Sequence, residues 1–208
     1  MTDQSQLQKH SDLVWNIANL LRGPYRPPQY RRVMIPLTVL RRLDCVLADN
    51  RSEVSQLYQN LIALKTDTAT IERTINHKLK LKFHNTSKFS FDNLLDDDTQ
   101  LATNLRAYMA GFSSRARAIL EKFKFDEEIE RLDEANRLYE IIKEFQNIDL
   151  HPSCIPNSDM GTIFEDLVRR FNEQANEEAG DHFTMSSSSC ANKCHLGSFQ
   201  ISVTSLAA

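Results

Sequence analysis

The chain has 208 residues, of which 41% are hydrophobic and 25% charged, a composition typical of a globular protein. It contains only five glycines, too few for the many tight turns of β-sandwiches, barrels or glycine-rich nucleotide loops. No stretch approaches the roughly 20 apolar residues of a membrane span, and the polar residues 1–13 lack the apolar core of a signal peptide, so we expect a cytoplasmic protein.

The net charge of −3 hides an asymmetry between two halves of the chain. Residues 1–88 carry 14 Lys or Arg against 7 Asp or Glu, whereas residues 89–180 carry 10 against 20. A basic half and an acidic half predict two surfaces with different partners. The alternatives are that the two halves face one another or that the charges are merely solvated.

The first half of the chain reads as a series of amphipathic helices. Ser11 is a suitable N-cap for the first helix, and Gly23-Pro24 ends it. The second helix begins near Gln29 and contains Pro36, which should kink it or mark its first turn. Ser52 is predicted to cap a third helix, and a short fourth follows with Ile71, Ile75 and Leu79 on its apolar stripe.

Residues 78–84 alternate between polar and apolar side chains, which predicts a short strand or an extended arm. Three further helices are expected: one preceded by the aspartates 96–98, one opened by Ser113 or Ser114, and one long pattern over residues 126–145. A last helix is capped by Asp159 and ended by Gly180.

These patterns predict an all-α fold, a multi-helix bundle of about seven to nine helices with at most one short β-hairpin or extended arm. They predict no Rossmann-like catalytic domain. The expected organisation is a flexible N-terminus over residues 1–10, a helical domain over 11–180 and a divergent tail over 181–208. Since no catalytic constellation is visible, the residues by themselves indicate an interaction domain.

Several segments follow one another as they do in a known protein family. They are residues 15–23 (WNIANLLRG), 36–44 (PLTVLRRLD), 104–108 (NLRAY), 129–133 (IERLD) and 160–173 (MGTIFEDLVRRFNE), continued by 179–184 (AGDHFT). In this order they resemble the methyltransferase (M) subunit of type I restriction–modification systems. The resemblance covers residues 10–184, and its most specific part resembles the stretch that joins the helical N-terminal domain to the catalytic domain.

The resemblance implies a function in DNA modification. Enzymes of this family transfer a methyl group from S-adenosylmethionine to the N6 of adenine, and they flip the adenine into a pocket with an Asn-Pro-Pro-aromatic motif. A specificity subunit reads the bases, two M subunits embrace the double-stranded DNA, and in some complexes a restriction subunit joins. The implied partners are therefore these subunits and the DNA backbone.

The chain departs from the family after Thr184. The glycine-rich cofactor loop and the Asn-Pro-Pro-aromatic motif are absent, and the 24 residues that follow Thr184 are far fewer than the roughly 150 that a cofactor-binding sheet needs. We therefore expect a truncated M subunit that is inactive alone and holds no cofactor. Phe183 and Thr184 match the start of the family's cofactor-contacting segment and are interpreted as a remnant.

Basic residues are the candidates for contact with DNA. The pairs Arg31-Arg32 and Arg41-Arg42 lie ten residues apart, close to three helical turns, and could form one ridge that contacts phosphates together with Arg22 and Arg26. Lys78, Lys80 and Lys82 would share one face of an extended arm, with Lys88 and His84 nearby. The alternatives are a solvated face, ion pairs with the acidic half or a partner subunit, or lysines that protect a strand edge.

Other features are given structural interpretations. Cys190, Cys194, His195 and the distant His182 fall short of a convincing zinc site, so no metal is predicted. The adjacent carboxylates Glu127-Glu128 and Glu165-Asp166 point about 100° apart on their helices and are interpreted as solvated. Trp15 is interpreted as a core residue or an anchor for a partner helix.

The leading hypothesis is that this helical domain helps the M subunit to embrace DNA and to assemble with the specificity subunit and the second M subunit. The first alternative is a purely structural assembly module. The second is an inactive relic that makes no DNA contact.

Overall fold

The computed structural model describes residue 12 and residues 14–180, with side chains as far as residue 174. A helical turn at 14–17 continues into the 3-10 turn Ala18–Leu21, and a second 3-10 turn covers Pro27–Gln29. Eight α-helices follow: α1 Arg31–Leu47, α2 Arg51–Ala63, α3 Thr68–Leu79, α4 Leu101–Ala110, α5 Ser114–Glu121, α6 Phe125–Glu134, α7 Leu138–Gln146 and α8 Asn157–Gly180. Short 3-10 turns lie at Ala48–Asn50, Leu94–Asp96 and Asp98–Gln100.

The all-α prediction is confirmed. Within the described residues there is no strand, and the extended backbone pairs only at two isolated bridges, Arg22 with Tyr25 and Asn85 with Phe112. The alternating segment 78–84 is not an arm: α3 runs through Leu79 and ends at Lys80, which takes the left-handed conformation of a helix C-cap.

Three predicted helix boundaries are corrected, of which the first is the start of the last helix: α8 begins at Asn157, so Asp159 lies inside it rather than at its cap. The long pattern over 126–145 is divided into α6 and α7 at Asn136, which has a positive φ of 54° and stops the first helix. Ser52 lies inside α2 rather than at its cap. By contrast, the side chain of Asp67 accepts a hydrogen bond from the Thr70 N–H and caps α3.

Helix α1 is the centre of the fold. Thirteen of its 17 residues are buried, and it packs against α6, α7 and α8. Pro36 lies inside this helix rather than in its first turn. A helix buried on all sides would normally be apolar throughout, yet α1 also buries Thr38, Arg41, Arg42 and Asp44. These polar side chains must find partners inside the protein.

Asp44 is the most heavily paired of them. Its carboxylate oxygens lie 3.0 Å from Arg41 of the same helix, 2.8 Å from Arg51 of α2 and 2.7 Å from the Tyr108 hydroxyl of α4. Burial and the neighbouring carboxylate raise the pKa of Tyr108 well above its usual value, so its hydroxyl remains a donor. This one side chain thus joins α1, α2 and α4.

A second, much smaller hydrophobic cluster lies between α2 and α3. Only Val54, Ile71 and Ile75 are buried in it, and half-buried residues such as Leu57 and Leu61 pack around them. The two helices form an antiparallel hairpin closed by a short turn at residues 64–67. The main core, in contrast, contains 40 of the described residues, from the N-terminal turn to α8.

Replacing Asp44 by alanine should destabilise the fold by about 3–5 kcal/mol, because the two arginines and Tyr108 would lose their shared buried partner. Chemical denaturation of the purified chain measures this change. Asp92 is the matched control, since it contacts the same Arg51 at 3.4 Å but its side chain is 71% exposed. Asp92→Ala should change the stability by less than about 0.5 kcal/mol. Equal effects of the two variants would contradict the assigned role of Asp44.

Candidate nucleic-acid interface

The arginine segment, residues 22–32, comprises a compact connector and the first two residues of α1, and two tyrosines hold it against the bundle. Gly23 has a φ of 106°, which permits the tight turn that brings Arg22 and Tyr25 together. Tyr25 and Tyr30 are each only 4% exposed, and the proline turn between them packs against α8. Anchored in this way, the segment leaves four arginines exposed: Arg22, Arg26, Arg31 and Arg32.

Tyr25 connects this segment to α6. Its hydroxyl donates a 3.4 Å hydrogen bond to the Glu128 carbonyl, and the Arg131 guanidinium lies 4.6 Å from the centre of its ring. Burial is the main reason that the pKa of Tyr25 is raised. Arg131 therefore adds a fifth exposed arginine beside the segment. Sequence reasoning missed it because it belongs to the acidic half of the chain and has no basic neighbour in the sequence.

One buried carboxylate, that of Glu128, lies near these arginines. Glu128 was predicted to be solvated but is 8% exposed, and its Oε2 has no hydrogen-bond partner among the described residues. Its Oε1 lies 3.9 Å from the Arg32 guanidinium, at the outer limit of an ion pair. Because the Arg32 side chain remains 59% exposed, its charge still reaches the surface.

The predicted ridge of two arginine pairs does not exist, because Arg41 and Arg42 are buried. Arg41 donates to the carbonyls of Ile148 at 2.8 Å and Gln146 at 2.9 Å, in addition to its ion pair with Asp44. It thereby ties α1 to the C-terminal end of α7. The alternative of an ion pair with the acidic half does not describe Arg41, because Asp44 belongs to the basic half and the contacts of Arg41 with the acidic half are backbone carbonyls.

Arg42 is buried even more completely, with 1% of its surface exposed. Its guanidinium donates to the carbonyls of Leu150 and Ile155 and to the side chain of Asn157, so it organises the connector between α7 and α8. Burial lowers the pKa of this guanidinium from its usual value. The prediction that Arg41 and Arg42 contact phosphates is therefore wrong: neither side chain is accessible to a duplex outside the fold.

The predicted arm with three lysines on one face is not formed either. Lys78, Lys80 and Lys82 are exposed, but they lie in the last turn of α3, at its cap and in the following loop rather than on one face of a strand. His84 is only 2% exposed, with its Nδ1 2.7 Å from the Asn76 amide oxygen, and burial lowers its pKa. His84 therefore adds no positive charge to this surface at neutral pH.

Trp15 belongs to the fold rather than to a free surface. Its ring lies 5.1 Å from that of Phe171, and the Arg170 guanidinium lies 5.7 Å from it. Arg170 also pairs with Asp166 at 2.8 Å, so this carboxylate is bound rather than solvated.

Several predicted features lie outside the described residues. They are the flexible N-terminus 1–10, Ser11, the tail 181–208, the cofactor remnant Phe183 and Thr184, and the residues weighed as zinc ligands, His182, Cys190, Cys194 and His195.

The comparison with protein families identifies the chain. A family model described as the HsdM N-terminal domain matches residues 11–145, about two thirds of the 208 residues. The chain belongs to this family. It is therefore an N-terminal region of the M subunit of a type I restriction–modification methyltransferase, as its resemblance implied. The match includes the arginine segment, α1 and the α2–α3 hairpin, whereas the resemblance of residues 160–184 lies beyond it. A search of curated proteins finds no match.

None of the helices in the described part of the chain combines the length and apolar character needed to cross a membrane.

Because Arg42 is buried, its replacement should lower the stability of the fold. Replacement of an arginine that only contacted DNA would leave the stability unchanged. Arg42→Met should cost about 3 kcal/mol of folding free energy, because buried carbonyl groups of the α7–α8 connector would lose their donor. Arg31→Met, at an exposed position of the first pair, should cost less than about 0.5 kcal/mol. Urea unfolding curves of both variants test this difference, and an Arg42→Met protein as stable as the parent would refute it.

Proposed function

We propose that this domain contacts the phosphate backbone of double-stranded DNA through the arginine segment and Arg131. In this way it helps an M subunit to hold DNA while the family's catalytic domain methylates adenine N6. The observation that carries the proposal is the cluster of five exposed arginines, of which four lie within eleven residues of a connector fixed on the bundle.

Charge supports this proposal. Within the described part of the chain, the ion pairs of these four arginines are limited to one, between Arg32 and the buried Glu128 at 3.9 Å. Clustered guanidinium groups favour phosphate, to which they can donate paired hydrogen bonds. Such contacts position a duplex without reading its bases. The arrangement thus suits a module that works beside a separate specificity subunit.

The remaining parts of the proposal rest on family membership. The domain would act in the cytoplasm and assemble with a specificity subunit, a second M subunit and, in some complexes, a restriction subunit. S-adenosylmethionine would be held by the catalytic domain of the M subunit rather than by the helices described above. The proposal therefore assigns binding and assembly to these residues, and no chemical step.

A purely structural assembly module remains the second candidate. The observation in its favour is the α2–α3 hairpin, which exposes 49% of Ile62 and 75% of Leu64. In that case the arginines would pair with an acidic surface of another subunit. An inactive relic that lacks DNA contact is the extreme form of this alternative.

DNA binding by the chain should be weak and should fall steeply with salt, with a slope of about −0.9 in log K against log salt for each neutralised phosphate. Replacing Arg22, Arg26, Arg31 and Arg32 by alanine should reduce this slope by about 3–4, because up to four contacts are lost. Fluorescence anisotropy with a labelled duplex at several salt concentrations measures both quantities. The control replaces Lys78, Lys80 and Lys82 by alanine, which should leave most of the binding intact.

The two candidates give opposite results with these variants. Lost DNA binding with intact subunit assembly supports the DNA-contact function. Unchanged DNA binding by the four-arginine variant, or binding by the parent that is insensitive to salt, would overturn it. Lost subunit assembly with unchanged DNA binding would support the structural module.

The 208-residue chain should transfer no methyl group to DNA, because its sequence contains neither the glycine-rich cofactor loop nor the Asn-Pro-Pro-aromatic motif of the family. Incubation with tritium-labelled S-adenosylmethionine and an unmethylated plasmid tests this expectation. Label recovered in N6-methyladenine from the purified chain would contradict it.

A further inference from the structure

Glu128 is a buried carboxylate inside the cluster of exposed arginines. It lies on α6, three residues before Arg131, and its side chain is only 10% exposed. Its Oε1 lies 3.9 Å from the Arg32 guanidinium, and its Oε2 has no hydrogen-bond partner within the described residues. Its backbone carbonyl accepts the hydrogen bond from Tyr25, so this residue lies where the arginine segment contacts α6.

Tyr25 shows that the charges of this cluster act on the same small region. Burial raises its pKa most, the neighbouring carboxylate of Glu128 raises it further, and the positive charges of Arg131 and Arg32 act in the opposite direction. The three charged groups therefore surround one hydroxyl. A phosphate that contacted the two arginines would also meet the negative charge of Glu128.

The contact between Glu128 and Arg32 is a loose ion pair rather than a fixed support. A carboxylate that positions a guanidinium commonly does so with two short, parallel hydrogen bonds. Here the two groups are at the outer limit of an ion pair, and one carboxylate oxygen is unpartnered. Because the Arg32 side chain is 59% exposed, its guanidinium is free to turn toward an external anion, whereas the buried carboxylate stays in place.

The departure of Arg32 from this ion pair is unfavourable for Glu128. A buried carboxylate is destabilised when it loses its opposite charge, because the protein interior screens charge less than water does. Among the ion pairs of the described residues, the one with Arg32 is the only one that includes Glu128. A phosphate that binds Arg32 must therefore offset this loss, and it is also repelled by the carboxylate that remains.

We infer that Glu128 is an internal competitor of the DNA phosphate: it holds Arg32 in the absence of DNA and thereby lowers the affinity of the arginine segment for a duplex. This inference rests on the proposed DNA contact and concerns the regulation of its strength. Arg31, the neighbouring residue in α1, is exposed and has no ion pair with a described carboxylate. The two adjacent arginines thus contribute unequally, and the duplex is bound less tightly than the number of exposed arginines implies.

The variant Glu128→Gln removes the charge and keeps the size of the side chain. With a labelled duplex at about 50 mM salt, it should bind about three- to tenfold more tightly than the parent chain. Its slope in log K against log salt should be steeper by about one, because Arg32 then neutralises a phosphate. Fluorescence anisotropy at several salt concentrations measures both quantities. Glu127→Gln is the matched control: this carboxylate is exposed one residue earlier on α6, and its loss should change the affinity less than about twofold.

Arg32 provides a second test. In an Arg32→Ala background, Glu128→Gln should no longer raise the affinity, because the carboxylate has no guanidinium to hold. Arg32→Ala alone should weaken DNA binding less than Arg31→Ala does, and the two losses should become equal once Glu128 is replaced by Gln. Both arginines are exposed, so these variants should keep the fold, which circular dichroism and thermal unfolding check.

Several outcomes would overturn the inference. They are binding by Glu128→Gln that is no tighter than that of the parent, an equal gain from Glu127→Gln, and a gain that persists without Arg32. If Glu128→Gln does not fold, equal losses in Arg31→Ala and Arg32→Ala overturn it. In all these cases the four-arginine variant still loses DNA binding, whereas a failed DNA contact leaves that variant and the parent alike. If neither the parent nor Glu128→Gln binds DNA, both proposals are wrong.

Discussion

The fold depends on two guanidinium groups and one carboxylate buried in its central helix. Arg41 and Arg42 reach from α1 to the backbone carbonyls of residues 146–155, and Asp44 connects α1 to α2 and α4. Backbone carbonyls at the ends of helices need donors once they are buried. The side chains of α1 supply them, so the connector between α7 and α8 is fixed by a helix more than 100 residues earlier in the chain.

Burial separates the arginines of the basic half into two groups with different roles. Arg41 and Arg42 lie in the middle of a helix that is surrounded on all sides, where a charge is tolerated only with partners. Arg31 and Arg32 belong to the first turn of the same helix, where it emerges from the core. A rigid central helix therefore holds the exposed arginines at a defined position on the bundle. The proposed contact with a duplex requires such a fixed position.

Much of the fold could be predicted because helical periodicity is a local signal. The stripe of Ile71 and Ile75 and the helix predicted after the aspartates 96–98 correspond to α3 and α4 in the structure. The burial of Arg41 could not be predicted in this way, because a basic pair looks the same in a sequence whether water or carbonyl groups surround it. The same applies to Arg131, which reaches the candidate site through Tyr25, a contact between residues about 100 positions apart. Boundaries set by single residues, such as the left-handed Asn136, were also missed because apolar spacing continues across them.

The structure shows where the charges of the basic half and the acidic half lie. The basic and acidic halves do face one another in places: Arg51 contacts Asp92, and Arg32 approaches Glu128. Most of the acidic side chains of α6 and α7 nevertheless stay exposed, and so do the arginines of residues 22–32. Helix α6 thus exposes acidic side chains on the same element as Arg131 of the candidate interface. Residues 54–64, which form most of α2 and its end, carry no charged side chain. The phosphate contact proposed above would thus use different elements from the exposed Ile62 and Leu64 of the α2–α3 hairpin.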